Sequence, residues 1–146
     1  MKTSNRGFSL LELLIVVAII LIIATIAIPS LLRSRQAAHE AAAVATLRTI
    51  NTAQVTYLTT AQGKFGDMDS LIAAALLPSN FGTGPVSGYN FSIDLDSTHS
   101  EFTVYANPSS ANEGRYGYYI TADGTTRFAT NSALAPAGFA GAPVSQ

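Results

Sequence analysis

Three carboxylates and a histidine lie close together in the stretch 94–101, where their types could support metal chemistry. Asp94, Asp96 and Glu101 supply oxygen donors of the kind that calcium prefers, and His99 lies between them. Their spacing does not match the calcium-binding loop of an EF-hand. The sequence therefore predicts a solvated hairpin at this place, with a calcium site as the alternative.

His39 and Glu40 are a second candidate acid–base pair, and they fall within a predicted helix. Adjacent residues on a helix point about 100° apart, which is a poor arrangement for sharing a metal ion or a proton. We therefore predict that both side chains are solvated.

The chain lacks the usual signatures of catalysis. It contains no G-x-S-x-G, P-loop, H-E-x-x-H or G-x-G-x-x-G motif, and the absence of cysteine excludes disulfides and thiolate metal sites. The formal net charge is −1 and no basic run extends beyond Arg33 and Arg35, so no nucleic-acid footprint is visible. We predict a protein that is not an enzyme and holds no cofactor or metal ion.

Glu12 is the exceptional residue, because it interrupts a run of 21 residues, 8–28, in which only Ser9 and Thr25 are otherwise not apolar. A helix of that length spans about 30 Å, the thickness of the hydrocarbon core of a bilayer. A charge in such a segment costs roughly 2.5–3.5 kcal/mol, so it normally has a partner. The sequence predicts a membrane-spanning helix in which Glu12 has a specific role, with the alternative that it reaches the membrane surface or is protonated.

Two other interpretations of the apolar run stay open. In the first it is a cleaved secretory signal peptide, with 25–27 (Thr-Ile-Ala) as the cleavage site, although the run exceeds the usual 7–15 residues and Pro29 would follow the cut. In the second it is a plain membrane anchor for a binding domain, which leaves Glu12 unexplained.

The stretch 7–20, Gly-Phe-Ser-Leu-Leu-Glu-Leu-Leu-Ile-Val-Val-Ala-Ile-Ile, resembles the type III signal sequence of type IV pilins and of the related type II secretion pseudopilins. The resemblance covers about residues 5–35. It implies that a membrane peptidase cleaves between Gly7 and Phe8 and methylates the new α-amine of Phe8. It also implies that Pro29 bends or loosens the helix.

Cleavage would create a positive group near the acid. No lysine, arginine or histidine lies between Gly7 and Arg33, but the α-amine of Phe8 would lie four residues from Glu12, about 6 Å along a helix. It could pair with Glu12 of the same chain or of a neighbouring subunit, and the resemblance implies the neighbour. An unpaired carboxylate in an apolar bundle costs several kcal/mol, so such pairing would set the axial register.

The stretch 30–62 contains no glycine or proline, and Gly63 is a natural stop, so a long helix is predicted over 8–62 with a kink at Pro29. We expect one face of its second half to dock on a domain and the other face to stay outside. The docking face is predicted to be Val44, Leu47, Ile50, Val55 and Leu58, and the outer face Ala42, Ala45, Thr49, Ala53 and Thr56.

The rest of the chain is typical of a small α+β domain. A short helix is expected over 69–77, with Asp69 or Ser70 as its cap. Alternating apolar residues predict antiparallel strands at 89–95, 102–106, 116–121 and 126–129, the last two joined by a turn at 123–124. The tyrosines at 116, 118 and 119 are expected to alternate between core and surface.

These elements predict a pilin-like α+β fold, a long N-terminal helix packed on a small antiparallel sheet. The predicted divisions are a leader (1–7), a transmembrane and assembly helix (8–29), its amphipathic half (30–62), an α+β head (63–130) and a tail rich in Ala, Gly and Pro (131–146).

The resemblance implies a structural subunit of a type IV pilus, with a major pilin favoured and a minor pilin or secretion pseudopilin as the alternative. It also implies the partners: a homo-oligomeric helical filament, a prepilin peptidase and methyltransferase, a pilus assembly platform and, before assembly, the bacterial inner membrane. The mature subunit would then lie in a filament at the cell surface.

Overall fold

A computed structural model describes residues 8–129 and 142–143. The chain divides into two compact units, the N-terminal unit Met1–Ser34 and the head Arg35–Gln146. The predicted leader and most of the predicted tail lie outside the described residues. The remainder is an α+β fold with a long apolar N-terminal helix and an antiparallel sheet, which confirms the predicted fold class.

Helix α1 is continuous from Leu10 to Thr60. Pro29 lies inside it without ending it, although proline supplies no N–H to the carbonyl four residues earlier, that of Thr25. At the far end, Gln62 and Gly63 follow with φ angles of 56° and 80°, the left-handed conformation that commonly terminates helices.

The face of α1 that is buried in the head differs from the predicted stripe. Leu47 and Ile50 are fully buried as expected, but Val55 is 53% exposed and Ala53, expected outside, is buried. The prediction failed because it considered only large apolar residues. The buried positions recur every three or four residues and include two polar side chains. They are Glu40, Ala43, Leu47, Ile50, Ala53 and Gln54.

Gln54 shows how a polar residue can occupy this face. Its Nε2 donates to the carbonyl of Gly66 at 2.6 Å, and its Oε1 accepts from the Gly66 N–H at 3.0 Å. The carboxamide therefore pairs with both backbone polar groups of Gly66, so its nitrogen and its oxygen each have a partner. A Cβ on Gly66 would lie 2.9 Å from the ring of Tyr57, so this close approach depends on glycine.

Helix α2 spans Met68–Ala73, shorter than the predicted 69–77. Its cap is Asp67 and neither of the two predicted residues, because the Asp67 carboxylate accepts from the Ser70 N–H at 2.8 Å. Hydrogen bonds from Ser70 lower the pKa of Asp67. A short 3-10 helix, Ser79–Gly82, follows.

The sheet has the order β1-β2-β3-β4-β5, and every neighbouring pair is antiparallel. The four predicted strands are present, and a fifth strand of two residues is added at the far edge. The strands are β1 Tyr89–Leu95, β2 Phe102–Pro108, β3 Gly117–Thr121, β4 Thr126–Ala129 and β5 Ala142–Pro143.

Burial alternates along β1 and β2 as predicted, but all five residues of β3 are buried. The ring of Tyr118 lies 6.1 Å from that of Tyr89 in the core, and the ring of Tyr119 lies 6.3 Å from that of Tyr105. Burial raises the pKa of Tyr118 to about 12. The expected alternation of tyrosines between core and surface is therefore wrong for β3. This strand lies in the middle of the sheet, and side chains of the strands beside it pack against both of its faces.

The β3–β4 turn is held by one carboxylate. Asp123 accepts from the Thr121 hydroxyl at 2.6 Å and from the Thr125 N–H at 2.9 Å, and the Arg127 guanidinium donates to it at 2.6 Å. Gly124 takes the left-handed conformation, with φ 74°, that the predicted turn requires. The hydrogen bond from Arg127 is the first cause that holds the pKa of Asp123 well below its ordinary value.

This depressed pKa predicts acid sensitivity. A carboxyl whose folded pKa is lowered contributes stability above its unfolded pKa, and the contribution is lost as pH falls through the folded value. We expect Asp123→Asn to lower the unfolding free energy at pH 7 and to flatten its decline below about pH 4. Urea unfolding of wild type and variant at pH 7 and pH 3 measures the unfolding free energy and its change with pH. If the unfolding free energies of the two proteins changed equally with pH, Asp123 would not be the source of the acid sensitivity.

Candidate assembly surface

The residues predicted to guide processing and assembly lie at the start of the chain. Gly7 lies outside the described residues. Phe8 is 78% exposed and precedes α1 by two positions, Glu12 lies in the first turn of the helix, and Pro29 lies within it.

The Glu12 carboxylate is directed toward the beginning of the helix. Its Oε2 accepts a hydrogen bond from the backbone N–H of Ser9 at 2.9 Å, and the Ser9 carbonyl accepts from Leu13 at 3.2 Å. This is the returning half of a capping box, and the helix dipole favours a negative charge there. The carboxylate therefore points to the end of the helix that carries Phe8.

Glu12 keeps accepting capacity beyond that one bond. An ionised carboxylate has two oxygens and about four acceptor positions. Thr25, a polar residue farther along the span, already has a hydrogen-bond partner, because its hydroxyl donates to the Ile22 carbonyl at 2.7 Å. On the described part of the apolar run, Glu12 is thus the side chain that can still attract a cationic partner.

The surface around Glu12 is apolar on every side of the helix. An 18-residue window has a mean hydropathy of 3.1 and none of it is buried within the chain. A helix that is apolar all round belongs in a membrane or among other apolar helices. The large exposed side chains are Phe8, Leu10, Leu11, Leu13, Leu14, Ile15, Val16, Val17, Ile19, Ile20, Leu21, Ile22, Ile23, Ile26, Ile28, Leu31 and Leu32.

His39 and Glu40, predicted to be solvated, instead contact partners within the head: Glu40 forms an ion pair with Arg115, and His39 lies beside the Glu113 carboxylate. Glu40 is 8% exposed, and its Oε1 accepts from the backbone N–H of Arg115 at 2.9 Å while its Oε2 accepts from the Arg115 Nη2 at 3.0 Å. Glu113 lies 2.6 Å from His39 Nδ1 and 3.1 Å from Arg35 Nη2. These partners are more than 70 residues away, so local spacing could not reveal them.

The ion pairs fix the loop between β2 and β3 to α1. Beneath that loop the Tyr89 hydroxyl donates to the Tyr116 carbonyl at 3.0 Å. Gly114 passes so close to Tyr89 that an added Cβ would overlap the phenol. This part of the head is therefore a structural junction.

In the acidic stretch, Asp94 lies in β1 and residues 96–101 form a hydrogen-bonded turn. Asp96 accepts from the Glu101 N–H at 2.8 Å, the Thr98 N–H at 3.1 Å and the Thr98 hydroxyl. The hydrogen bond from Thr98 is the first cause that holds its pKa well below the ordinary value. A cavity of about 420 Å³ lies alongside. Within residues 8–129 and 142–143, no group of three acidic or histidine side chains is placed to hold a metal ion.

The comparisons bear on the beginning of the chain. Residues 2–28 match the family model described as the prokaryotic N-terminal methylation motif. The search of curated proteins and the search of solved structures each gave no match. The chain therefore carries a prepilin signal of the type found in type IV pilins and pseudopilins, which confirms the resemblance seen in the sequence.

Gly114→Ala tests the junction under the β2–β3 loop. Because the new methyl group would overlap Tyr89, we expect a loss of about 1–3 kcal/mol in unfolding free energy. Gly84→Ala is the control, since a Cβ there meets nothing within 4 Å. Thermal unfolding in detergent measures both variants. Equal stabilities would show that the loop does not depend on this close approach.

Proposed function

We propose that the chain is the precursor of a structural subunit of a type IV pilus, a major pilin. Cleavage between Gly7 and Phe8 and N-methylation of Phe8 would release the mature subunit, which then polymerises through its N-terminal helix. The observation that carries the proposal is the methylation motif over residues 2–28, because it begins a helix with an uncovered apolar surface.

The chemistry of Glu12 supports helix-to-helix assembly. A subunit that leaves the bilayer needs another apolar surrounding for its exposed helix, and the helices of neighbouring subunits provide one. In that surrounding the carboxylate requires a cation, and the α-amine of a neighbouring Phe8 is the group that processing would create at the matching depth. The pair would fix how far each helix is displaced along its neighbour.

The proposed divisions follow from this function. Residues 1–7 are the leader, 8–29 the membrane and assembly helix, and 30–62 the half that supports the head. The loss of an N–H at Pro29 weakens the helix there, which would help it to adjust as subunits pack. Processing calls for a prepilin peptidase and methyltransferase, and polymerisation for an assembly platform in the inner membrane before the filament reaches the cell surface.

A minor pilin or a type II secretion pseudopilin is the second candidate, since the methylation motif is common to them. We favour a major pilin because the described part of the head is small, with one sheet and two short helical segments besides α1. Counting copies of the chain per filament by quantitative mass spectrometry separates the classes. A major pilin accounts for most of the filament mass.

Processing and assembly are tested together. We expect the native protein to begin at an N-methylated Phe8 by mass spectrometry. Glu12→Val should still insert into the membrane and be cleaved, but should give at least a tenfold loss of sedimentable filaments, because the charge pair is absent. Leu14→Val, an apolar change in the same run, should assemble normally.

Three outcomes would contradict the proposal. A native chain that begins at Ile28 would indicate a signal peptide, and one that keeps Met1 would indicate a plain anchor. Filaments of Glu12→Val at the wild-type yield would remove Glu12 from the assembly mechanism.

A further inference from the structure

The outer edge of the sheet carries backbone groups that are free to pair. The backbone N–H of Tyr89 donates to the Val86 carbonyl at 3.0 Å, and the Tyr89 carbonyl accepts from the Val86 N–H at 2.8 Å. Both backbone groups of Tyr89 therefore point away from β2. Along an antiparallel pair of strands, the backbone N–H and C=O groups of successive residues point alternately toward and away from the partner strand. Those of Phe91, Ile93 and Leu95 therefore also point away from β2. Among the described residues, none of these three has a backbone hydrogen bond across that edge.

β1 also lacks the features that normally protect an edge strand. Such edges are blunted by lysine, by proline, by a bulge or by short length. β1 has seven residues, none of them lysine, arginine, proline or glycine, and it pairs with β2 in unbroken register. Its one charged residue is Asp94, which lies on the exposed face of the sheet. An additional strand could therefore extend the sheet at this edge.

We propose that β1 pairs in antiparallel fashion with β1 of a second copy of this chain, centred on Ile93. In that register Ile93 meets Ile93 of the second copy, and Phe91 meets Leu95. Every free N–H and C=O on the three outward-facing residues then finds a partner. The contact lies in the head and does not involve the apolar helix, so it goes beyond the proposed function.

The side chains specify this register. With Ile93 at the centre, Ser92 lies opposite Asp94 of the second copy, and a hydroxyl can donate to a carboxylate. A shift in one direction would place Asp94 against Asp94, a repulsive pair. A shift in the other direction would require the backbone groups of Tyr89, which are already bonded to Val86. The occupant is thus a second copy in one register.

A pair of strands is a small interface, so the contact is expected to be weak between two free molecules. Where many heads are arrayed side by side, weak contacts multiply through their high effective concentration. The edge would then join one array of heads to another.

Charge substitutions at Ser92 test the pairing. The experiment uses the full chain in detergent, with Glu12→Val in every sample to suppress association through the helix. Ser92→Asp would face Asp94 twice per pair and should weaken self-association about 2- to 30-fold. Ser92→Lys at the same exposed position should preserve or strengthen it. Sedimentation equilibrium measures both, and thermal unfolding checks that both heads fold.

Engineered cysteines test the register, because the chain has none of its own. A mixture of Ser92→Cys and Asp94→Cys chains should form the mixed disulfide at least tenfold faster than either variant alone. Ser97→Cys, an exposed position in the β1–β2 turn, is the control for random collision. A chain that stays monomeric, equal effects of Asp and Lys at Ser92, or no preference for the mixed disulfide would overturn the proposal. None of these outcomes bears on processing or filament assembly.

Discussion

In our proposal, an ionised carboxylate that is buried among apolar helices needs a cationic partner, and this constraint governs the N-terminal unit. Moving an unpaired charged side chain from water or lipid into an apolar helix bundle costs several kcal/mol of free energy. Glu12 is directed to the beginning of α1 by its bond to the Ser9 amide and keeps further accepting capacity. In our proposal, cleavage supplies the missing cation at Phe8, so processing and assembly depend on the same interaction.

The head also contains buried polar side chains, and their partners come from the same chain. Glu40 and Gln54 occupy the buried face of α1, and each is matched by donors or acceptors from a distant loop, at Arg115 and at Gly66. Buried polar groups that are fully paired specify one packing, because any other arrangement leaves them unsatisfied. Gly66 and Gly114 allow the backbone of these loops to lie against the rings of Tyr57 and Tyr89.

The features that sequence predicted best are those encoded locally. The apolar run, the alternation along β1 and β2 and the turn at Gly124 follow from short-range patterns. The buried stripe of α1, the burial of β3 on both faces and the ion pairs of Glu40 depend on residues tens of positions away, and no spacing rule reveals them. The Asp67 cap was missed because the helix begins at Met68, before the predicted start at residue 69. Roles for Gly7, Phe8, Glu12 and Pro29 come from the motif and stay predictions.

The most direct measurement is a solid-state NMR distance in assembled material. Filaments are grown from an equal mixture of ¹⁵N-labelled and ¹³C-labelled chains, so that a signal can arise only between subunits. We predict transfer between the α-nitrogen of Phe8 and the side-chain carboxyl carbon of Glu12, at a separation of about 3–4 Å typical of an ion pair. Well-ordered filaments without that transfer would contradict the proposal.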